Sequence, residues 1–177
     1  MNRLALTEAH PEAGEHLLEV GFGGGELIAR LLDVPGVRVS GADISVAMVD
    51  RARARFAGKG VTLAQADVER LPFESDSFDV AVSISNLFFW TEPRAALTEI
   101  ARVLKPGGRL VLCFEPADEM RKWPGHRHGF TLYDPDEVRA LMIEAGFAEA
   151  KAAWGKGRKP DRFCCLSASL VGARPAP

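Results

Sequence analysis

The segment Glu19-Val20-Gly21-Phe22-Gly23-Gly24-Gly25-Glu26 decides the fold of this chain. It joins an apolar stretch at residues 16–21, typical of a buried strand, to residues 26–32, where leucine and isoleucine recur at helical spacing. The glycines permit a tight turn and let the backbone approach a ligand closely at the start of the following helix. The segment therefore predicts a strand, a ligand-binding loop and a helix in direct succession.

Strand and helix patterns alternate along the rest of the chain. Ser45 suits an N-cap and Pro93 a first helical position, while Asp134 begins a capping box in a helix that Gly146 ends. The alternation predicts a doubly wound α/β fold with a mostly parallel seven-stranded sheet and a C-terminal antiparallel hairpin strand. We expect a single domain over residues 1–172 and a loose tail at 173–177. The further predicted strands are 37–42, 61–65, 78–83, 109–114, 148–154 and 162–171.

The composition excludes several classes of protein. Among 177 residues, 22 Lys and Arg stand against 24 Asp and Glu, so the chain as a whole has no attraction for nucleic acid or anionic membranes. No apolar stretch approaches the roughly 20 residues that span a bilayer. Three cysteines are too few for a disulfide framework, and Cys113 lies in an apolar strand where we expect a buried, unreactive side chain. We therefore expect a cytoplasmic protein, and homodimer formation stays open.

Two ligand classes compete for the glycine loop. A dinucleotide fingerprint, G-x-G-x-x-G, would need glycine at position 26 or 28, where the chain has Glu26 and Ile28. A carboxylate at the helix start also repels a pyrophosphate, so a ligand with a cationic group fits better. Tyr133 is followed four residues later by Glu137 rather than by the lysine of short-chain dehydrogenases. An NAD(P)-binding oxidoreductase is thus the disfavoured alternative.

Further motifs follow the glycine loop in a fixed order. They are Gly41-Ala42-Asp43-Ile44-Ser45, Ala66-Asp67, Leu71-Pro72-Phe73, Asp76-Ser77-Phe78-Asp79 and Arg102-Val103-Leu104-Lys105-Pro106-Gly107-Gly108. Together with Glu19-x-Gly21-x-Gly23-x-Gly25, they make the chain resemble class I S-adenosylmethionine-dependent methyltransferases. Within this family the chain is most similar to the small-molecule branch that includes ubiquinone- and menaquinone-biosynthesis-like enzymes. The resemblance implies a Rossmann-like methyltransferase fold and S-adenosyl-L-methionine as cofactor.

Acidic residues at the ends of the first two strands suit this cofactor, which carries two cationic groups and a ribose diol. Glu19 suits the cationic end, and the alternative is a solvated carboxylate. Asp43 can accept two hydrogen bonds from the ribose diol, as acids at this place do in dinucleotide folds. The alternative is that Asp43 caps the next helix, a role that Ser45 already fills. Ile44 would lie against the adenine.

The remaining cofactor residues follow from the resemblance. Gly21 and Gly23 would leave room for the methionine part of the cofactor, and Gly25 belongs to the same predicted site. Asp67 and Val68 would lie near the adenine amino group, unless Asp67 only forms a turn. Ser83, at the end of the fourth strand, completes the predicted cofactor site.

Residues 83–90 follow the fourth strand, where methyl donor and acceptor should meet. Ser85 and Asn86 are the polar side chains nearest to that point, and we expect them to orient the acceptor. Members of the family often carry His-His or His-Trp where this chain has Phe88-Phe89, so a base at that position is absent. Phe88, Phe89 and Trp90 form either an apolar wall around the sulfonium or a part of the core.

The predicted reaction is transfer of the methyl group to a nucleophilic O, N, S or C atom of a small molecule. Because the sulfonium is a strong electrophile, the protein mainly holds the reacting atoms in line and excludes water. A base is optional unless the acceptor must first lose a proton. The alternative from another class is a non-catalytic scaffold or regulatory subunit that binds the cofactor.

Two basic segments, 121–128 and 156–159, predict that the acceptor is anionic. Both would lie at the carboxyl edge of the sheet, where a positive rim attracts carboxylates or phosphates. The alternative is that their charges are only solvated. Nucleic acid is disfavoured because no extended basic surface accompanies them, and no metal is expected because the two histidines lack further ligands. The side chains concerned are Arg121, Lys122, His126, Arg127, His128, Lys156, Arg158 and Lys159.

Overall fold

The structure is a computed structural model that describes residues 1–127, 129–157 and 161–172. His128, Arg158, Lys159 and the predicted tail at 173–177 lie outside the described residues. The elements in chain order are α1 (Asn2–Ala9), β1 (His16–Val20), α2 (Glu26–Leu31), β2 (Arg38–Asp43), α3 (Val46–Arg55), β3 (Thr62–Gln65), β4 (Phe78–Ile84), α4 (Pro93–Val103), β5 (Leu104–Phe114), α5 (Ala117–Met120), α6 (Pro135–Glu144), β6 (Lys151–Lys156) and β7 (Arg162–Ser169). Short 3₁₀ turns lie at Leu87–Phe89 and Pro124–Arg127.

The seven strands form one sheet in the order β3-β2-β1-β4-β5-β7-β6. Strands β1 to β5 pair in parallel, and β7 runs antiparallel to both β5 and β6. The winding reverses between β1 and β4, because β2 and β3 lie on one side of β1 and the later strands lie on the other. This topology confirms the predicted doubly wound sheet with its antiparallel hairpin strand. Ligands of such sheets bind at the carboxyl ends of the strands beside the reversal point.

Helices cover both faces of the sheet. Successive side chains of a strand point to opposite faces, so Leu17 and Leu18 of β1 enter different layers of the core. Leu17 packs in the layer that α1, α2 and α3 cover, and Leu18 packs in the layer that α4 and α6 cover. Both leucines are fully buried. Among the described residues, no helix is sufficiently long and apolar to cross a membrane.

The predicted helix starts are confirmed. The Ser45 hydroxyl accepts a hydrogen bond from the Met48 N–H at 3.4 Å, and Pro93 is the first residue of α4. Asp134 and Glu137 form the capping box, in which the Asp134 N–H donates to Glu137 Oε2 at 2.7 Å. These local signals fix where α3, α4 and α6 begin, and therefore where the loops at the carboxyl edge end.

The junction of α4 and β5 differs from the prediction. Residues 105–108 were expected to separate the helix from a strand at 109–114, but β5 begins at Leu104, directly after α4. The pairing register of β4 and β5 shifts here, from Phe78 opposite Leu104 to Val80 opposite Arg109. Lys105 pairs with Asp79 at 2.7 Å. The segment is therefore an irregular part of the strand, anchored to β4.

The terminal hairpin confirms its predicted pairing and adds a cross-link. Because β7 is antiparallel and β6 is parallel to β5, the end of β6 and the start of β7 lie at the carboxyl edge of the sheet. Cys113 of β5 lies opposite Cys165 of β7, and the two buried sulfurs are bonded. Cys113 is buried, as expected, but its bond to Cys165 was not predicted, because the register of two distant strands cannot be read from either one alone.

Candidate functional site

A cavity of about 530 Å³ opens at the carboxyl edge between β1 and β4, at the reversal point of the sheet. A smaller cavity of about 80 Å³ adjoins it, and the two share the side of the cleft formed by the ends of β1 and β2 and the loop after β4. The larger volume lies within the usual range of small-molecule sites. The residues that line both cavities are Gly21, Asp43, Ile44, Asn86 and Phe89.

The glycine loop forms one wall of the larger cavity. Gly21 has a φ of +70°, and its N–H donates to the Ala42 carbonyl at 2.7 Å. The side-chain amide of Asn86 occupies the space that a Cβ on Gly21 would need. Gly23 also lines this cavity, whereas Gly25 does not. Gly25 is instead the N-cap of α2 and lies against the Phe56 ring, so its place in the predicted site is a correction.

Glu19 lies at the base of the cleft, where β1 ends. It is only 4% exposed, and its Oε2 accepts a hydrogen bond from the Ile28 N–H of α2 at 3.0 Å. Burial raises the pKa of this carboxyl to about 8. The alternative of a solvated carboxylate is therefore wrong. A buried carboxyl group on a cavity wall would lose its proton most readily beside a bound cation, and S-adenosylmethionine carries cationic groups.

Asp43 stands at the end of β2 with both carboxylate oxygens engaged. Oδ2 accepts from the Gly23 N–H at 2.7 Å, and Oδ1 accepts from the Ser45 N–H at 2.9 Å. The side chain is buried and lines both cavities. It therefore joins the glycine loop to the start of α3 while facing the cleft, and its ribose contact stays a prediction.

The smaller cavity collects the residues predicted for the adenine end. Ile44 lines this cavity with 65% of its surface exposed, and Val68 lines it as a buried side chain. Asp67 also lines this cavity, and its Oδ1 accepts from the Glu69 N–H at 3.0 Å. Asp67 thus forms a turn, as the alternative interpretation proposed, and it also faces the cleft.

The loop after β4 brings only some of the predicted acceptor residues to the cleft. Ser85, Asn86 and Phe89 line the larger cavity, and Phe89 is 60% exposed. Phe88 faces a separate crevice beside Phe114, because the 3₁₀ turn at Leu87–Phe89 points neighbouring side chains apart. Trp90 borders the smaller cavity but is 4% exposed and packs in the core. For Trp90 the core interpretation is the better one.

The structure also places Ser83 away from the predicted cofactor site. Its side chain is buried, and its hydroxyl donates to the Val20 carbonyl at 3.0 Å. It lines neither of the two cavities. Ser83 therefore joins β4 to β1, because its hydroxyl is held by the backbone of the neighbouring strand.

The basic segments lie beyond the two cavities. Of the predicted rim, Lys122 pairs with Glu119 of α5 at 2.8 Å. Arg162, the first residue of β7, pairs with Asp118 of α5 at 2.7 Å. His126 Nδ1 contacts the Trp123 carbonyl at 2.6 Å. The other predicted basic side chains in the described part of the chain are exposed and line neither cavity; they are Arg121, Arg127 and Lys156.

The sequence interpretation missed Glu115. This residue directly follows β5, and both of its carboxylate oxygens accept from the Ser85 hydroxyl at 3.2 Å. Burial raises the pKa of Glu115 above its ordinary value. The sequence could have indicated Glu115, because it follows a central parallel strand. The acids at the ends of β1 and β2 were predicted as site residues for the same reason.

Comparison with known proteins connects this geometry to a family. Residues 18–112 match the family model described as a methyltransferase domain. An O-methyltransferase of Pyrenophora dematioidea is 32% identical over 154 residues, which cover 80% of this chain and 57% of that protein. A demethylmenaquinone methyltransferase of Clavibacter sepedonicus is 41% identical over 133 residues, covering 74% and 53%. The chain thus spans about half the length of these two relatives.

Other similar proteins match over more of their length. The uncharacterized methyltransferase YdaC of Bacillus subtilis is 33% identical over 169 residues, which cover 95% of this chain and 87% of that protein. An S-adenosylmethionine-dependent methyltransferase structure from Aquifex aeolicus superposes with a TM-score of 0.80 at 21% identity, covering 96% of this chain and 89% of that one. At this identity the structural likeness shows the fold alone.

The cleft suits the cofactor of this family. A buried carboxyl at Glu19 matches a cationic group, the glycine loop leaves room for backbone contact, and the exposed Ile44 offers an apolar surface for adenine. The motifs, the sheet order, the position of the cleft and the match over residues 18–112 agree. The chain therefore belongs to the class I S-adenosylmethionine-dependent methyltransferases.

Proposed function

We propose that this protein transfers the methyl group of S-adenosyl-L-methionine to a small-molecule acceptor. The observation that carries the proposal is the continuity of one cavity, which runs from Glu19 and Asp43 to Ser85 and Phe89. Cofactor and acceptor ends therefore share one space, as direct transfer between two bound molecules requires.

The cofactor end is built to hold a cationic nucleoside. Glu19 would bind the ammonium group and be held in its charged form by it, despite its raised pKa. Asp43 has two oxygens on the cavity wall, and a ribose diol could replace or share the hydrogen bonds that it now accepts from Gly23 and Ser45. Ile44 and Val68 would enclose the adenine from two sides.

The acceptor end combines polar and aromatic surfaces. The bound cofactor supplies a methyl group activated by its positively charged sulfur. Ser85 and Asn86 would orient the nucleophilic atom toward it, and the exposed Phe89 ring would cover the reacting atoms and exclude water. Asn86 is held by its contact with Gly21, which fixes one side of the acceptor relative to the cofactor loop.

We infer that the acceptor is a flat, largely apolar molecule with a hydroxyl group. Rings next to the cleft form a contiguous cluster, in which Phe89 lies 5.0 Å from Phe130 and Phe130 lies 5.7 Å from Trp123. Phe89 and Trp123 are each about half exposed, a surface on which an aromatic acceptor would stack. The relative from Pyrenophora dematioidea is named as an O-methyltransferase, which supports oxygen as the nucleophile.

A negative charge on the acceptor is the second candidate property. Its support is the exposed side chains of Arg121 and Arg127, near Trp123 along the chain. The ion pair of Lys122 with Glu119 reduces that support.

Two measurements test the proposal. Calorimetry with S-adenosylmethionine, S-adenosylhomocysteine and NADH should show binding of the first two alone; binding of NADH alone would favour an oxidoreductase. Methyl transfer from the labelled cofactor is then measured to catechol, benzoate, aniline and thiophenol, which present different nucleophiles on one ring. We expect methylation of catechol. Benzoate as the best acceptor would favour the anionic candidate, and cofactor binding without transfer to these or to a fractionated metabolite extract would favour a scaffold.

A further inference from the structure

Ser85 and Glu115 form a polar pair at the acceptor end of the cleft. The Ser85 hydroxyl lies 3.2 Å from each oxygen of the Glu115 carboxyl group. Ser85 lines the large cavity, whereas Glu115 lines the crevice behind it. A group bound in the cavity could therefore reach Glu115 through one hydroxyl.

The backbone of Ser85 is held in an uncommon conformation. Its φ is +50°, in the left-handed region that side chains other than glycine seldom adopt. The Ser85 N–H donates to the Cys113 carbonyl at 2.8 Å, which ties the loop after β4 to the end of β5. Residues in strained conformations often occur at functional sites, where the surrounding structure fixes them. Here the conformation keeps the Ser85 hydroxyl between the cavity and Glu115.

The surroundings of Glu115 favour uptake of a proton. Partial burial raises its pKa, while the Ser85 hydroxyl, its own backbone N–H and the amino group of Met1 act in the opposite direction. Tyr133 is the other titratable side chain that lines the same crevice. Within the described residues that line the crevice or contact Glu115, no second carboxylate competes for the proton.

We propose that Glu115, through the Ser85 hydroxyl, takes up the proton that a hydroxyl acceptor loses during methyl transfer, an inference that rests on the function proposed above. Ser85 gives its proton to Glu115 and receives the proton of the acceptor hydroxyl. The acceptor oxygen forms the bond to the methyl carbon, and the sulfur keeps the electron pair of the bond that breaks. Glu115 later releases its proton to solvent. This pair supplies the base that Phe88-Phe89 cannot provide.

The first test needs no acceptor. Glutamate labelled with ¹³C at the carboxyl carbon is titrated by NMR in the complexes with S-adenosylmethionine and S-adenosylhomocysteine, with Glu115 assigned by through-bond correlation. These ligands differ by one methyl group and one positive charge. We expect the pKa of Glu115 to be about 1 lower in the S-adenosylmethionine complex, because a nearby cation favours the carboxylate. Equal pKa values in the two complexes would overturn the inference. Calorimetry reports separately whether either ligand binds, and a failure to bind would overturn the proposed function as well.

The second test uses catechol as the acceptor. We expect Glu115→Gln to lower kcat by roughly 100-fold near neutral pH, the lower range for loss of a general base. The loss should shrink at high pH as catechol ionises by itself, and Glu115→Asp should restore part of the rate. Ser85→Ala should lower kcat in the same pH range, while cofactor affinity stays within about twofold. Glu74→Gln, an exposed acid before the amino end of β4, is the matched control.

An equal loss at every pH would identify Glu115 as a structural residue and overturn the proposal. So would a Glu115→Gln variant with the wild-type rate and pH profile. If that variant does not fold, Glu115→Asp and the titration of the wild-type protein still decide the question.

Discussion

Asn86 packs its side-chain amide directly over Gly21, in the space that any larger residue at position 21 would fill. The contact joins the end of β1 to the loop after β4 at the point where the sheet reverses its winding. This contact fixes the distance between the glycine loop and the loop after β4. The absence of a Cβ at Gly21 thus lets these two segments approach each other and shapes the cleft.

We expect Gly21→Ala to lower stability by at least about 1–2 kcal/mol, the cost of a left-handed conformation for a residue with a Cβ, and to weaken cofactor binding as Asn86 shifts. Gly14→Ala is the matched control, because Gly14 also has a positive φ, of +94°, but a Cβ there meets nothing within 4 Å and Gly14 lines neither cavity. Thermal unfolding and calorimetry measure both effects. If the two variants behave alike, the contact with Asn86 has no part in shaping the cleft.

Asp43→Asn should weaken S-adenosylmethionine binding by roughly 10–100-fold, since hydrogen bonds to a charged group contribute about 1.5–3 kcal/mol. The new amide also places a donor against the N–H of Gly23 or Ser45, so stability should fall by about 1 kcal/mol. Asp50→Asn, at an exposed position of α3, should change neither quantity. Unaltered affinity in Asp43→Asn would remove Asp43 from the ribose site.

The buried Glu19 predicts a pH dependence of stability. Its pKa is raised to about 8 in the folded protein, so between about pH 4.5 and 8 the folded state holds a proton that the unfolded state has lost. The contribution of Glu19 to stability is therefore present at low pH and falls as pH rises through this range. Urea unfolding at a series of pH values should show that Glu19→Gln removes this fall. Glu12→Gln, at an exposed position, should retain it.

The carboxyl group of Glu19 should also couple cofactor binding to the release of a proton. If Glu19 binds the cationic end of S-adenosylmethionine, it must lose its proton, and near neutral pH binding should release protons to the buffer. Calorimetry in buffers of different ionisation enthalpy measures this release. We expect it to be lost in Glu19→Gln. Proton release that is equal in wild type and variant would assign it to another group.

Substitution of Arg102 should have a large effect on stability. Its guanidinium pairs with Glu99 at 2.7 Å and donates to the carbonyls of Leu71 and Phe73 at 3.1 and 2.9 Å. An ammonium cannot reproduce this planar arrangement, so Arg102→Lys should cost about 2 kcal/mol. Arg53→Lys, in an exposed pair, should cost little by comparison. Chemical unfolding of both variants tests whether this arginine holds the loop after β3.

Most of the fold could be predicted because its signals are local. Ser45, Pro93 and the Asp134 capping box mark helix starts within a few residues, and alternating strands and helices restrict the topology. The acids of the cleft were predictable for a related reason: they lie at the carboxyl ends of parallel strands, and these ends lie together. Glu115 satisfies the same rule.

The failures concern side-chain direction and distant pairing. Ser83 and Phe88 lie in predicted site segments, yet one bonds to Val20 between strands and the other faces a different crevice. Nothing in their sequence neighbourhood encodes these directions, which depend on where β1 and α5 lie. The Cys113–Cys165 bond likewise depends on the register of strands 52 residues apart.

The position of β7 has a consequence for the order in which the chain acquires its structure. β7 is synthesised after β5 and β6, yet it lies between these two strands in the sheet. Before it forms, β5 has a partner on one side only and β6 has none within the sheet, so both expose unpaired backbone edges. Such edges favour association between chains. During synthesis, the interval between the emergence of β5 and that of β7 is therefore a period in which these unpaired edges can associate with other chains.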